Sequence, residues 1–417
     1  MKLIKVFQII NLIIFSEVIL YFNFTVNFNY GDDIGLRSQI LNLHTLVWLY
    51  LNWSGRVLDR VLLIFMAHNP EVFRIANSLI MIAMPVVTWL LVDRYRKLSN
   101  LSLLVTLFLF YDYNEMRTAG YIATYITYYW SLFANILFFI VIRRYLAADK
   151  ILSVDLVYAV LLGIFVCNSE IGACFNTVIL LAILAVRYRS RGAIIDWRVL
   201  ILLLISVLSI IFFLTCPGLH NRNFQETYHW LPEFSSYSTV YKLYLGFSET
   251  LLYYFSTGKV ILLLFLSALL VSAVTKGINV AYYFIFFSLA GFILPVHSKD
   301  LIIKFSNVSN IDAYIFFAVL LCFVFFVLLM ICRIFKDSAG MQLLLFFVLT
   351  LGLLTRVMMG FSPTLYASST RTYMYCDFSI LIAVYYIMKE SKTDINELCP
   401  FLALFAYPYF IGNLIPI

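Results

Sequence analysis

Residues 197–214 read WRVLILLLISVLSIIFFL. No charged side chain occurs between Val199 and Leu214. As a helix rising 1.5 Å per residue, this run covers most of a hydrocarbon core about 30 Å thick. Its flanks are of the opposite kind. Upstream stands Arg187-Tyr188-Arg189-Ser190-Arg191, and downstream Thr215-Cys216-Pro217-Gly218, where Pro-Gly ends a helix. An apolar run with arginines at one end and a turn at the other is a membrane span whose cytoplasmic end the arginines mark.

The same pattern repeats along the chain. Apolar runs lie at 6–22, 75–92, 98–111, 122–142, 151–167, 171–186, 197–214, 259–275, 279–296, 312–332, 341–358, 378–388 and 399–415. Runs 98–111 and 378–388 are short for a full span, so about eleven to thirteen crossings are expected, some broken or re-entrant. Of the 417 residues, 63% are hydrophobic and 12% charged, about half the charge of a soluble domain. Lipid must therefore be the solvent for most of the chain, and its backbone polar groups must be satisfied internally. Ten-residue alternating segments are missing, which excludes a barrel. The expected fold class is an all-α polytopic membrane protein, residues 1–417 forming one domain.

Lys2 and Lys5 precede the first run, and bulky Tyr21-Phe22-Asn23-Phe24 follows it. That pattern predicts a retained first helix and not a cleaved leader. The seven cysteines are scattered without a CxxC, so they read as small core residues. With the N-terminus placed in the cytoplasm, the basic clusters at Arg94-Tyr95-Arg96-Lys97, Arg143-Arg144 and Arg187–Arg191 fall on the inner side. An odd span count leaves the C-terminus in the periplasm. The inner loops then hold little beyond topogenic charge. The outer loops are longer and richer, chiefly 23–74, 215–258 and 359–377, and function is expected there.

The first outer loop opens Asn29-Tyr30-Gly31-Asp32-Asp33-Ile34-Gly35, two carboxylates beside a membrane surface, where charge is costly unless used or paired. Residues 36–50 read as an interfacial amphipathic helix. Trp53-Ser54-Gly55-Arg56-Val57-Leu58-Asp59-Arg60 follows, with Arg56 and Arg60 four apart on one helical face and Asp59 available as a partner for either. Asp112-Tyr113-Asn114-Glu115-Met116-Arg117 and Asn168-Ser169-Glu170 occupy later outer turns, and Glu170 lies between two apolar runs at membrane depth. The middle loop carries His220, Arg222, Glu226 and His229; two histidines nine apart in a loop make a weak metal pair. The late loop, Ser362-Pro363 through Thr370-Arg371-Thr372, sets hydroxyls and an arginine before a span, an arrangement suited to phosphate. Trp48, Trp53, Tyr129, Trp130 and Trp230 serve either as interface anchors or as platforms for sugar rings.

Asp32-Asp33, Trp53-x-Gly55-Arg56, Asn168-Ser169-Glu170-x-Gly172, Pro217-Gly218 with Arg222, and Ser362-Pro363 with Arg371 occur in that order. In this the chain resembles the serotype-converting O-antigen glucosyltransferases of bacteria and phages, of the type described in Shigella, over nearly its whole length. The resemblance implies a GT-C-like membrane glycosyltransferase of the bacterial inner membrane. Its donor would be undecaprenyl-phosphate-glucose and its acceptor a sugar of the lipid-linked O-antigen repeat, on the periplasmic face. A glucosyl-lipid synthase and a flippase would supply the donor. A single inverting displacement needs a base for the acceptor hydroxyl and cations for the leaving phosphate. The candidates are Asp33 or Asp32 as base, Arg56, Arg222 and Arg371 at the phosphate, and Glu170 to orient sugar hydroxyls or a cation. Arg60, Glu115 and Glu226 are secondary. A carboxylate pair is also able to hold a divalent metal, though the chemistry does not require one. The alternatives are an O-antigen polymerase or ligase, and a polysaccharide flippase or transporter. A transporter should place polar groups at the midplane and show internal repeats; only Glu17 breaks the one-sided distribution.

Overall fold

The computed structural model describes residues 2–148, 153–191, 197–279, 282, 311–368, 370–391 and 394–414. Of the expected run 279–296 only residues 279 and 282 are described, and of the loop 297–311 only residue 311. The described residues form helices and turns, with no named strand. In chain order the helices are α1 Lys2–Thr25, α2 Asp32–Arg37, α3 Leu43–Asn52, α4 Val57–His68, α5 Pro70–Val92, α6 Leu98–Phe108, α7 Tyr121–Thr124, α8 Ser131–Ala148, α9 Ser153–Val166, α10 Glu170–Arg191 and α11 Trp197–Leu214. There follow α12 Pro217–Trp230, α13 Thr239–Ser256, α14 Lys259–Thr275, α15 Ile311–Ile334, α16 Ala339–Val357, α17 Met374–Glu390 and α18 Ile395–Leu414. A π-helical stretch, Tyr125–Trp130, links α7 to α8.

Eight helical stretches among the described residues are long and apolar enough to cross a membrane, and a ninth if the pair α13–α14, bent by 83°, counts as one. The protein is thus a multi-pass helical membrane protein. Of the remaining expected runs, 98–111, 151–167 and 378–388 fall on shorter helices, and 279–296 lies almost wholly outside the described residues. One of these helices, α6, has 11 residues and is buried from Asn100 onward. Its length covers about 16 Å, far less than the bilayer core. Protein completes the crossing: Leu109, Tyr111, Tyr113 and Met116 beyond it are all 1% exposed or less. Irregular backbone at membrane depth is tolerated where protein encloses it.

Side-chain amides fasten the spans to one another. Asn11 on α1 donates to Ser102 Oγ (2.9 Å) and Thr106 Oγ1 (3.1 Å) of α6, and Tyr407 of α18 donates to Asn11 Oδ1 (2.7 Å). Nearer the other end Asn77 donates to Asn23 Oδ1 (2.7 Å) and accepts from the Trp130 indole (2.9 Å). Such interhelical bonds contribute about 0.6–2 kcal/mol each in lipid.

The ion pairs sort the loops into two ends. Lys389–Asp93 and Lys276–Glu390, both 2.8 Å, close one end, where the topogenic basic clusters gather. Arg56–Glu170 and Arg222–Glu226 lie at the opposite end, together with α2, α3, α4 and α12. Three features there depart from the sequence reading. The amphipathic stretch 36–50 breaks at 38–42, and α3 begins anew at Asn42, whose side chain caps Thr45 N at 2.8 Å. Pro217 does not only stop α11; it takes the first turn of α12, where its missing N–H is no loss. Gly218 then lets α12 approach α3 so closely that a Cβ would lie 2.4 Å from Trp53 N. Of the seven cysteines, Cys167, Cys216, Cys376 and Cys399 are buried, whereas Cys174 and Cys322 are exposed.

Candidate functional site

The carboxylates of Asp32 and Asp33 diverge. Gly31 takes a positive φ of 57°, which turns the chain into α2 with Asp32 N donating to Ala119 O at 2.7 Å. Asp33 is thereby driven inward and is fully buried. Its Oδ2 accepts from Tyr121 N (2.6 Å) and Ile122 N (3.0 Å), and its Oδ1 from Ala123 N (2.9 Å). The carboxylate caps α7 from a distance of almost ninety residues in sequence. Burial pushes its pKa up, and the three N–H donors pull it back. Asp33, expected as the base, is therefore engaged in holding the first loop onto α7, while exposed Asp32 faces the cavity described next. Asp33→Ala should leave three N–H groups without their acceptor and lower stability by at least about 1–3 kcal/mol. The measurement is thermal unfolding in detergent; an unchanged Tm would remove this structural role.

Two cavities adjoin at this end. The first, about 330 Å³, is polar: Asp32, Trp53, Ser54, Arg56, Asp59, Arg60, Thr124, Thr127, Arg222, Glu226, Ser368 and Arg371 are among its walls. The second, about 580 Å³, is a largely apolar groove. Glu170, Cys174 and Val178, successive turns of α10, form one side; Leu351, Leu354 and Met358, on α16 and just past it, form the other. Arg56, Tyr128, Arg222, Glu226, Thr364, Ser368 and Arg371 border both cavities. Both volumes fall in the range of ligand sites.

The arginines are held at this junction by carboxylates. Arg56 Nη2 and Nε meet Glu170 Oε2 at 2.6 and 2.9 Å, with both side chains about three-quarters buried. Glu170, 114 residues away in sequence, is thus the partner of Arg56, and Asp59 forms no ion pair among the described residues. Glu170 and neighbouring charges keep the Arg56 guanidinium protonated despite burial. Arg222 Nε contacts Glu226 Oε1 at 2.8 Å, and its guanidinium lies 5.4 Å from the centre of the Trp53 ring. Arg371, in the short 3-10 turn Thr370–Tyr373, reaches Thr118 Oγ1 at 3.3 Å. Arg60 also lines the polar cavity, and its pKa is lowered by burial and partly restored by Asp32.

Asp59, read from sequence only as an ion-pair partner, sits on the floor of the polar cavity at 3% exposure. The Asn168 side chain faces the carboxylate, but Oδ2 makes no well-formed hydrogen bond among the described residues. Burial raises its pKa to about 7, with Arg56 opposing. Glu115 lies apart from both cavities and is 7% exposed. His220 and His229 are exposed, and among the described residues no group of His, Cys, Asp and Glu is placed to hold a metal ion. The aromatic candidates divide cleanly. Trp48, Trp53 and Trp230 are exposed beside the polar cavity or the hollow next to it, lined by Gln39, His44 and Thr45, whereas Tyr129 and Trp130 are core residues.

Fold and cavities together define a multi-pass helical membrane protein with a charged chamber at one end that continues into an apolar groove. Comparison of the chain with protein-family models, with characterised proteins and with solved structures finds no match.

Proposed function

We propose that the protein is a GT-C-like glycosyltransferase. It moves glucose from undecaprenyl-phosphate-glucose to a sugar of the lipopolysaccharide O-antigen repeat, at the periplasmic face of the inner membrane. The observation that carries this reading is the shared border of the two cavities: Arg56, Arg222 and Arg371 stand where an apolar groove meets a polar chamber. A polyprenyl-phosphate sugar has this same order of parts, an isoprenoid chain, a phosphodiester and a sugar. Its chain would lie between α10 and α16, its phosphate among the arginines, and its glucose in the chamber. Arginine suits the phosphate because its planar fork matches two oxygens at once. Trp48, Trp53 and Trp230 offer exposed ring faces beside the chamber for the acceptor glycan.

As glucose transfers, charge builds on the leaving phosphate, and fixed cations in a partly dry site stabilise it there. The experiment is expression of the chain in cells that carry the glucosyl lipid and an unmodified O-antigen, followed by mass analysis of the glycan. One added hexose per repeat is expected. A change in chain length without added hexose would point to a polymerase and overturn the proposal.

A further inference from the structure

We infer that Asp59 is the general base that takes the proton from the acceptor hydroxyl. This rests on the transferase reading above and deepens it. Asp59 is the third residue of α4, a position where a carboxylate usually accepts the backbone N–H of the capping residue. Here that bond is not made: Arg56 N donates to Ser54 Oγ instead, at 3.3 Å. Asp59 is left 3% exposed on the floor of the polar cavity, with Oδ2 unpartnered among the described residues. An unsatisfied buried acceptor is costly; of the two buried carboxylate oxygens without a partner among the described residues, Asp59 Oδ2 and Glu115 Oε2, only Asp59 belongs to a residue that lines the polar cavity. A donated hydroxyl from the substrate supplies the partner.

Placement supports the same role. Arg56 and Asp59 lie three residues apart on one helical turn, so phosphate ligand and proton acceptor move as one rigid unit. Asp33 cannot compete, because its oxygens already accept three backbone N–H bonds. Asp32 lines the cavity from a separate helix and is exposed to solvent. The groups facing Asp59 are Arg56, which caps its own helix, Glu170 and Asn168 at the α9–α10 turn, and Tyr375 of α17. Arg60, the next residue of α4, faces Asp32.

In the step itself the acceptor O–H bond breaks and its proton goes to the Asp59 carboxylate. The freed oxygen pair forms the new bond to glucose C1. The C1–O bond to phosphate breaks, and its electron pair leaves on polyprenyl phosphate. One negative charge thus passes from Asp59 to the phosphate, toward the arginines. A base with a pKa near the working pH is well matched to this step. Because the base acts when deprotonated, the rate should rise with pH through about 7.

The test uses the full-length protein in detergent or nanodiscs, with undecaprenyl-phosphate-glucose and a lipid-linked O-antigen repeat. Donor binding is followed by tryptophan fluorescence, since Trp53 adjoins Arg222. Asp59→Asn should bind donor like the unaltered protein and transfer glucose about 10²–10⁴-fold more slowly. Asp59→Glu, which keeps the carboxylate, should retain part of the rate. Wild-type transfer by Asp59→Asn overturns the assignment, and so does loss of donor binding in that variant equal to the loss in Arg56→Ala. Should Asp59→Asn fail to fold, the pH profile of the unaltered protein decides: a rise through about 7 supports the role, and a flat profile overturns it. Absence of any transfer by the unaltered protein sinks the transferase reading itself, a result distinct from each of these.

Discussion

On the proposed transferase function, Arg56→Ala is expected to lower use of the glucosyl lipid by roughly 30-fold to a few thousand-fold. The range follows from the about 2–5 kcal/mol lost when one member of a desolvated charge contact is removed, at 1.4 kcal/mol per factor of ten. Arg56 borders both cavities and is held by Glu170 through two contacts to one oxygen. Two roles are compatible with that geometry, and they separate by mutation. If the pair serves only to fasten α4 to α10, Arg56→Ala and Glu170→Gln should be equally damaging, since each strands the other partner. If Arg56 is a phosphate ligand, Glu170→Gln should preserve donor binding, because the guanidinium is freed, while Arg56→Ala should lose it. Arg56→Lys should recover only part, as an ammonium keeps the charge without the fork. The measurement is the donor KM and the donor Kd for each variant, with unfolding temperature as the control. Equal Kd values for Arg56→Ala and the unaltered protein would remove Arg56 from the phosphate site.

Much of this site was visible before the structure, for a plain physical reason. In a chain so apolar, polar residues outside the basic clusters have few places to go, and those placed on the longer loops converge on one end. Asp32, Arg56, Arg60, Arg222, Glu226 and Arg371 come from three separate loops and line one chamber. What stayed hidden was orientation. Adjacent aspartates look equivalent in a sequence, yet the positive φ of Gly31 and the N-terminus of α7 send Asp33 inward and leave Asp32 outside. Arg56 has carboxylates three residues away and 114 residues away, and it pairs with the distant one. Local spacing favours Asp59, but the helical geometry of α10 brings Glu170 alongside. That substitution is what leaves Asp59 without an ion-pair partner, and so it was missed. The same holds for depth: α6 is an apolar run too short to span, and only the tertiary enclosure of residues 109–116 shows how the crossing is completed. Tyr129 and Trp130 are aromatic like the exposed tryptophans, yet they lie in the π-helical stretch and face the core.

Plugging the groove should separate lipid recognition from chemistry more sharply than any change at the chamber. Cys174 lies one helical turn below Glu170 on the same face of α10, is exposed, and lines the groove opposite Leu351 and Leu354. Cys174→Trp puts a bulky ring into a cavity of about 580 Å³ without touching the charged border. An isoprenoid chain that runs between α10 and α16 then meets a steric block, while the arginines and Asp59 keep their places. The expected result is a steep rise in KM for the undecaprenyl donor, on the order of tenfold to a hundredfold, if the block removes about 1.4–2.7 kcal/mol of apolar burial. A donor analogue with a chain of one or two isoprene units is expected to be used at nearly the unaltered rate. Full burial of one isoprenoid methylene contributes about 0.8 kcal/mol, so losing only a few suffices. The exposed thiol gives an independent check. In a variant with Cys174 as its only cysteine, the undecaprenyl donor should protect the thiol from a maleimide, and the short-chain analogue should not. Equal sensitivity of long and short donors to Cys174→Trp would mean that the ring disturbs the arginine border instead. Unimpaired long-chain transfer together with unprotected Cys174 would place the lipid outside this groove, and the arginines would then have to be approached by the carrier from another side.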